Sequence, residues 1–256
     1  MLLRAERLTK SFGETLAVDR VSFSLSAHET IALIGHSGCG KTTTLKMLNR
    51  LIEPDEGEVV LGGVSAFDMP GHEWRRRIGF VIQHAGLFPH MTVGENVLVT
   101  PALLGWDKAR QAEKLNNLLD MVGLPASDYA GRYPSELSGG QRQRIGLARA
   151  LAGEPEIVLM DEPFAALDPL TKDGLIEDIK RLKSELGFAS VLVTHEFSEA
   201  LRLADRIAVM DAGQIVQIGP AEDLIQSPAG PIVEELLKAP KAMADRIRGA
   251  FGKGWS

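Results

Sequence analysis

Apolar residues fall along the chain in short bursts with two different periods. Thr30-Ile-Ala-Leu-Ile34, Ile157 to Met160, Ser190 to Thr194 and Ile207 to Met210 are continuous runs rich in β-branched residues. That texture predicts strands buried on both faces. Leu2 to Leu8, Val21 to Leu25 and Val59 to Leu61 predict strands of a second, smaller sheet. Helical spacing appears between them. Lys41 to Leu51 predicts a helix ended by Pro54, and Leu115, Leu118, Leu119 and Val122 form one stripe. Leu175, Ile179, Leu182 and Leu186 form another, closed by Gly187. Residues 86–153 carry Pro89, Pro101, Pro125 and Pro134 between helical patches and predict a mostly helical insert. Asp211-Ala-Gly213 predicts a final hairpin, and a tail begins at Pro220. Strands alternating with helices imply an α/β fold with a parallel sheet covered on both sides.

Composition narrows this picture. A chain of 256 residues suits one full-size domain with a subdomain or tail. With 45% hydrophobic and 24% charged residues, it can bury a core and is not dominated by disorder. Lysine and arginine total 28 against 34 acidic residues, net −6, which argues against nucleic acid as a partner. The single cysteine excludes an intrachain disulfide framework and a zinc ribbon, and fits a reducing compartment. MLLRAERLTK lacks the apolar segment of a secretory signal. The longest charge-free run, Ile78 to Gly94, holds Gln83, His84, Pro89, His90 and three glycines, a poor spanning helix. A membrane role is therefore expected to come through a partner.

Three segments carry chemistry. Gly35-His-Ser-Gly38-Cys-Gly40-Lys41-Thr42 fits the phosphate-loop pattern between a strand and a helix. Its glycines let backbone N–H groups converge on an anion at a helix N-terminus. Gly35, Ser37, Gly38, Gly40, Lys41, Thr42 and Thr43 are the expected phosphate contacts, with Lys41 on the β- and γ-phosphates and the Thr42 hydroxyl on Mg²⁺. The alternative is an ordinary glycine turn. Asp161 and Glu162 end an apolar strand, where ligands of such sheets sit. Asp161 is the candidate metal ligand and Glu162 the candidate general base; alone, the pair also fits a solvated acidic turn. Leu137-Ser138-Gly139-Gly140-Gln141 precedes the helical run Arg142 to Leu151 and forms either a second anion site or a plain capped helix. Two cradles in one chain imply a second nucleotide or a site shared between two chains.

The phosphate loop, LSGGQ, LMDEP and Thr194-His195, in that order, resemble ATP-binding-cassette ATPases over nearly the whole chain to about residue 225. The resemblance implies a P-loop NTPase fold with a RecA-like parallel core, a small antiparallel β-subdomain and a helical insert. It divides the chain into a cassette, residues 1–225, and a helical tail, 226–256. It implies that two copies stack head to tail, with ATP between the phosphate loop of one and Ser138, Gly139, Gly140 and Gln141 of the other. It further implies adenine stacking on Phe12, where tyrosine is more usual, and Mg²⁺ held by Thr42, Gln83 and Asp161. His195 would contact the γ-phosphate and orient Glu162, and Asp168 would lie in the loop that speaks across the dimer. Phe12 could equally pack in the core, Gln83 be a surface amide and His195 a structural histidine.

The family implies coupling to integral-membrane permease subunits, one helix of which would dock near Gly86-Leu-Phe-Pro-His90, with Leu87 and Phe88 exposed together. TTLKMLNRLIEP (Thr43 to Pro54) and VIQHAGLFPHMTVGENV (Val81 to Val97) resemble importers of glycine betaine, choline and related osmoprotectants. The second segment also resembles polar amino-acid importers. The expected protein is thus the ATPase subunit of a bacterial importer, served indirectly by a solute-binding protein and peripheral on the cytoplasmic face of the inner membrane. The rivals are a soluble cassette ATPase and a nucleotide-dependent assembly switch; Glu162 argues against the switch. The regulatory modules that follow the cassette in larger betaine-type ATPases are not expected before Ser256. In the tail, Met243, Ile247 and Phe251 make a helical stripe beside Lys241, Arg246, Arg248 and Lys253. It either packs on its own domain or meets anionic lipid or a partner chain. Cys39 reads as a small buried residue or as a thiol whose adduct blocks nucleotide entry. Arg75-Arg-Arg77 reads as a solvated helix end.

Overall fold

A computed structural model describes residues 1–83, 85–165 and 167–251. The chain opens with β1 (Leu3–Phe12) and β2 (Thr15–Leu25), then β3 (Thr30–Ile34) and α1 (Lys41–Leu48). β4 (Glu56–Leu61), β5 (Val64–Ser65), α2 (Gly71–Arg76) and β6 (Ile78–Val81) follow. The insert holds α3 (Val93–Leu103), α4 (Lys108–Met121), α5 (Ala126–Tyr129), a 3₁₀ turn at Pro134–Glu136 and α6 (Gly139–Ala152). Then come β7 (Ile157–Asp161), α7 (Pro169–Leu186), β8 (Ala189–Val193), α8 (Phe197–Leu203) and the β9 (Arg206–Asp211) and β10 (Gln214–Gly219) hairpin. The final elements are α9 (Ala221–Gln226) and α10 (Pro231–Phe251).

The strands form two sheets, an antiparallel β2-β1-β4-β5 and a six-stranded β10-β9-β3-β8-β7-β6, parallel except for the edge strand β10. The period-two rule divides each central strand between two cores. Ile31 and Leu33 of β3 face the antiparallel sheet with Trp74 and Leu45. Ala32 and Ile34 face the helices with Ile145, Ile176 and Ile179. Both faces being dry explains why these runs are continuously apolar.

Element ends differ from expectation for local reasons. α1 stops at Leu48 because Arg50 takes a left-handed φ of 54° and its N–H turns back to Met47 O. α6 starts at Gly139, three residues before Arg142, because Ser138 caps it. Leu186 is the last residue of α7 and is exposed; Leu175, Ile176, Ile179 and Leu182 make the buried face. Arg77 does end α2 as its C-cap, but its side chain is not free in solvent. Its guanidinium binds Glu156 in a fork at 2.6 and 3.0 Å and donates to Leu61 O at 2.8 Å, joining the two sheets. In α10, Val233 and Leu237 are buried in the helix-side core, while Met243 is exposed. The side chains of Ile247 and Phe251, and Lys253, lie outside the described residues. Among the described residues no helix is long and apolar enough to cross a membrane.

Candidate functional site

The carboxyl ends of β3, β6, β7 and β8 meet at one rim, where ligands of open α/β sheets bind. The loop after β3 is fixed by sterics. A Cβ on Gly35 would lie 2.2 Å from Met210 O, and one on Gly40, at φ 103°, 2.5 Å from Ala17 O. Only glycine fits at either place. The loop curls round Lys41, which is 5% exposed. Its ammonium donates to Gly35 O at 2.7 Å and His36 O at 2.9 Å. Cys39 is buried, and its Sγ accepts from the same ammonium at 3.7 Å. Ser37, Gly38, Gly40, Lys41, Thr42 and Thr43 line a cavity of about 150 Å³ together with Ala17 and Glu162.

Of the acidic pair, Glu162 lines this cavity and Asp161 is tied to it through Thr42. The Thr42 hydroxyl donates to Asp161 Oδ1 at 2.9 Å. Burial pushes the Asp161 carboxyl above the usual range, against the pull of Thr42, Lys46 and Lys41. Glu162 takes φ 45°, unusual for a side-chain-bearing residue, and its N–H is tied to Val193 O at 2.9 Å. That bend turns the carboxylate toward two neighbours. Gln83 Nε2 lies 3.5 Å and His195 Nδ1 3.6 Å from Glu162 Oε2. His195 is seated by a turn in which the Thr194 hydroxyl donates to Glu199 and the Glu196 N–H donates to Thr194 Oγ1. Lys172 pairs with Glu196 at 2.6 Å and with the buried Glu199 at 2.8 Å. Among the described residues no group of three His, Cys, Asp or Glu side chains makes a self-sufficient metal site. Thr42, Asp161 and Gln83 offer a few oxygen donors, which fits a hard cation that also draws on phosphate and water.

The remaining predicted residues lie apart. Ser138 caps α6 in a capping box: its hydroxyl accepts from Gln141 N at 3.2 Å, and Gln141 Oε1 accepts from Ser138 N at 2.9 Å. Gln141 Nε2 also donates to the Tyr129 hydroxyl at 3.3 Å. Gly139 lines a second cavity of about 170 Å³ with Gln83, Gln143 and Leu167, and it shares no lining residue with the phosphate-loop cavity. Asp168 caps α7, accepting from Thr171 N at 3.1 Å, and this bonding holds its carboxyl below the usual range. Phe12 is half exposed at the β1–β2 turn, with the Lys10 ammonium 5.8 Å from its ring centre.

The loop before α3 departs from expectation at one residue. Phe88 is exposed, but Leu87 packs against the helix-side core, so the two do not form a joint patch. Buried Asn96 shapes the loop by accepting from Phe88 N at 2.7 Å and donating to Phe88 O, Met91 O and Thr92 O. Beside it lies a cavity of about 300 Å³ lined mainly by Ile78, Phe80, Ile82, Phe88, Val99 and Arg149. Sequence reasoning passed over Gln143 and Arg149, which bind the Gln83 loop from α6. Their signal was faint: QRQRIGLAR puts polar residues at helical spacing but names no partner for them.

Known proteins resemble this chain in sequence and fold. The pattern of the family described as "ABC transporter" matches residues 18–165, more than half of the chain. A choline transport ATP-binding protein of Bacillus subtilis, OpuBA, is 48% identical over 92% of this chain and 62% of its own length. The chain thus spans less than two thirds of that relative. A glycine betaine uptake system ATP-binding protein of Escherichia coli, YehX, is 43% identical over 91% of this chain and 76% of its own length. Among solved structures, the ATP-binding cassette MJ0796, described as a dimer in a post-hydrolysis state bound to ADP and Pi, superposes with a TM-score of 0.76. It is 32% identical, over 86% of this chain and 98% of that one. With the fold, the ordered segments and these likenesses together, the chain belongs to the ABC transporter family.

Proposed function

We propose that the protein hydrolyses ATP to ADP and phosphate as the motor subunit of a bacterial importer of quaternary-amine osmoprotectants such as glycine betaine or choline. The observation that carries the ATPase reading is the convergence of Gln83 and His195 on Glu162, at the mouth of the cavity that Lys41 and Thr42 line. The Lys41 ammonium exchanges its two loop carbonyls for β- and γ-phosphate oxygens, while loop N–H groups and the α1 terminus hold the rest. Thr42 and Asp161, with Gln83, are the residues that would hold Mg²⁺. When bound, that ion neutralises charge shared by the two phosphates. Glu162 accepts a proton from the water whose oxygen attacks the γ-phosphorus. The bond to the β–γ bridging oxygen breaks, and its electron pair leaves with ADP. His195 contacts the γ-phosphate and keeps the Glu162 carboxylate turned inward. Phe12 offers a π-face to adenine.

The separation of the Ser138 segment from the phosphate-loop cavity supports a head-to-tail pair, in which Ser138, Gly139, Gly140 and Gln141 of one copy close on nucleotide held by the other. Asp168 lies in the loop that meets the second copy. Residues 1–225 are the cassette, with 86–153 as its helical subdomain, and 226–256 are the tail. The apolar cavity beside Phe88 suits a helix of a permease subunit, and in this reading the motor works at the cytoplasmic face of the membrane. Cargo reaches the permease through a solute-binding protein. The names of OpuBA and YehX support choline and glycine betaine over polar amino acids. Two measurements test the proposal. Glu162→Gln should bind ATP and pair but lose turnover by about 10²–10⁴-fold; normal hydrolysis by that variant removes Glu162 as the base. Proteoliposomes carrying the complete importer should accumulate betaine or choline only with ATP inside; uptake of a polar amino acid instead would replace the cargo.

A further inference from the structure

The first turn of α6 belongs to the Ser138 segment, but its interior makes contacts of a different kind. Gln143 is 4% exposed. Its Nε2 donates to Gln83 O at 3.0 Å and to Pro163 O at 2.7 Å. One amide therefore grips the backbone of Gln83 and the residue after Glu162. Farther along, Arg149 donates to Ala85 O at 2.6 Å and Gly86 O at 2.7 Å. Among the described residues Gln143 Oε1 is buried without a partner. A buried amide that served packing alone would find a donor for that oxygen. Here the amide nitrogen instead makes both its bonds to carbonyls of segments 60 and 20 residues away.

We propose that Gln143 is a positioning residue that fixes the spacing between Gln83 and Glu162 and ties it to the seating of the Ser138 segment; this rests on the ATPase reading above. The physical basis is rigidity. α6 is a continuous helix from Gly139 to Ala152, so its N-terminus and Gln143 move together. When nucleotide on a second copy draws in the Ser138 end, the same displacement reaches both carbonyls. Each pocket thereby senses whether its own chain has engaged the other pocket, and hydrolysis becomes cooperative in ATP.

Gln143→Met tests this, because methionine keeps length and volume but has no donor. The comparison variant is Arg144→Met, which removes an α6–α7 ion pair (Arg144 Nε to Asp178 Oδ2, 2.9 Å) and leaves both gripped segments untouched. For Gln143→Met, kcat should fall about 10–100-fold from misplacement alone, with KM changed less than about threefold and the Hill coefficient reduced to one. Arg144→Met should lower Tm but keep kcat. A second readout needs no turnover: amide hydrogen exchange at Ala85 and Ala165, both in turn hydrogen bonds. Both amides should exchange faster in Gln143→Met than in the parent, whether or not ATP is hydrolysed. Retained kcat in Gln143→Met, an equal loss in Arg144→Met, or faster exchange at only one amide overturns the proposal. A parent protein that binds ATP without hydrolysing it would defeat the ATPase reading, and the exchange experiment would still decide the role of Gln143.

Discussion

The first and last glycines of the phosphate loop and the first glycine of the Ser138 segment are held in opposite ways. The loop from Gly35 to Gly40 is held by its own chain. Met210 O and Ala17 O leave no room for a Cβ, and the loop carbonyls grip Lys41. The Ser138 segment is a self-capped helix end. Among the described residues the atom nearest a Cβ built on Gly139 is Leu167 Cδ2 at 3.9 Å, although one on Gly140 would meet Thr171 Cγ2 at 2.3 Å, and Ser138 and Gln141 satisfy each other. A cradle shaped from within can bind its anion in a single protomer. A glycine that its own fold does not require is required, if at all, by something that approaches from outside.

Exchanging alanine for each glycine breaks or sharpens that contrast, and the largest effect is expected there. Gly35→Ala should weaken ATP binding at least about 100-fold and lower Tm, because a 2.2 Å approach to a carbonyl cannot be relieved by a rotamer change. Gly139→Ala should leave Tm and single-protomer ATP binding unchanged, yet cut hydrolysis by the paired protein; calorimetry and steady-state ATPase read the two. Equal binding losses in both variants would erase the distinction.

Next in size is Phe12→Ala. Loss of one base-stacking face should raise the ATP dissociation constant by about 5–150-fold, and Phe12→Tyr should retain affinity. Ser138→Ala should cost about 1 kcal/mol of stability as a lost cap. Ser138→Asn should restore Tm but not turnover, if the hydroxyl serves nucleotide as well as the helix. The smallest effect concerns Asp161. Its raised pKa means that the folded state holds the proton more tightly than the unfolded state, so the ionised form weakens the nucleotide-free fold at neutral pH. Asp161→Asn should therefore raise Tm at pH 7 without nucleotide. The gain should shrink as pH falls through the folded-state pKa, as thermal melts across that range would show.

Legibility in the sequence followed the range of the forces involved. The phosphate loop, the Asp161-Glu162 turn and the Ser138 cap are local patterns of glycine, carboxylate and hydroxyl, and each appears where the spacing placed it. The central strands were legible because burial on two faces leaves few polar choices. Gln143 was not, since its partners are set by tertiary approach and not by neighbours in the chain. Leu87 failed for the same reason: an apolar pair in a loop does not say which member turns inward. Arg77 looked like surface charge until the two sheets brought Leu61 O and Glu156 to it.

That last arginine has a mechanical consequence. Its guanidinium rivets the end of β4 to the residue that leads into β7, and Arg77 O accepts the Glu156 N–H at 2.9 Å in return. The platform that carries Phe12 and the strand that delivers Glu162 therefore share one chassis. If Phe12 and Glu162 take the roles proposed for them, tilting the shelf under a purine would drag the carboxylate with it, leaving little slack at this seam to absorb the stroke.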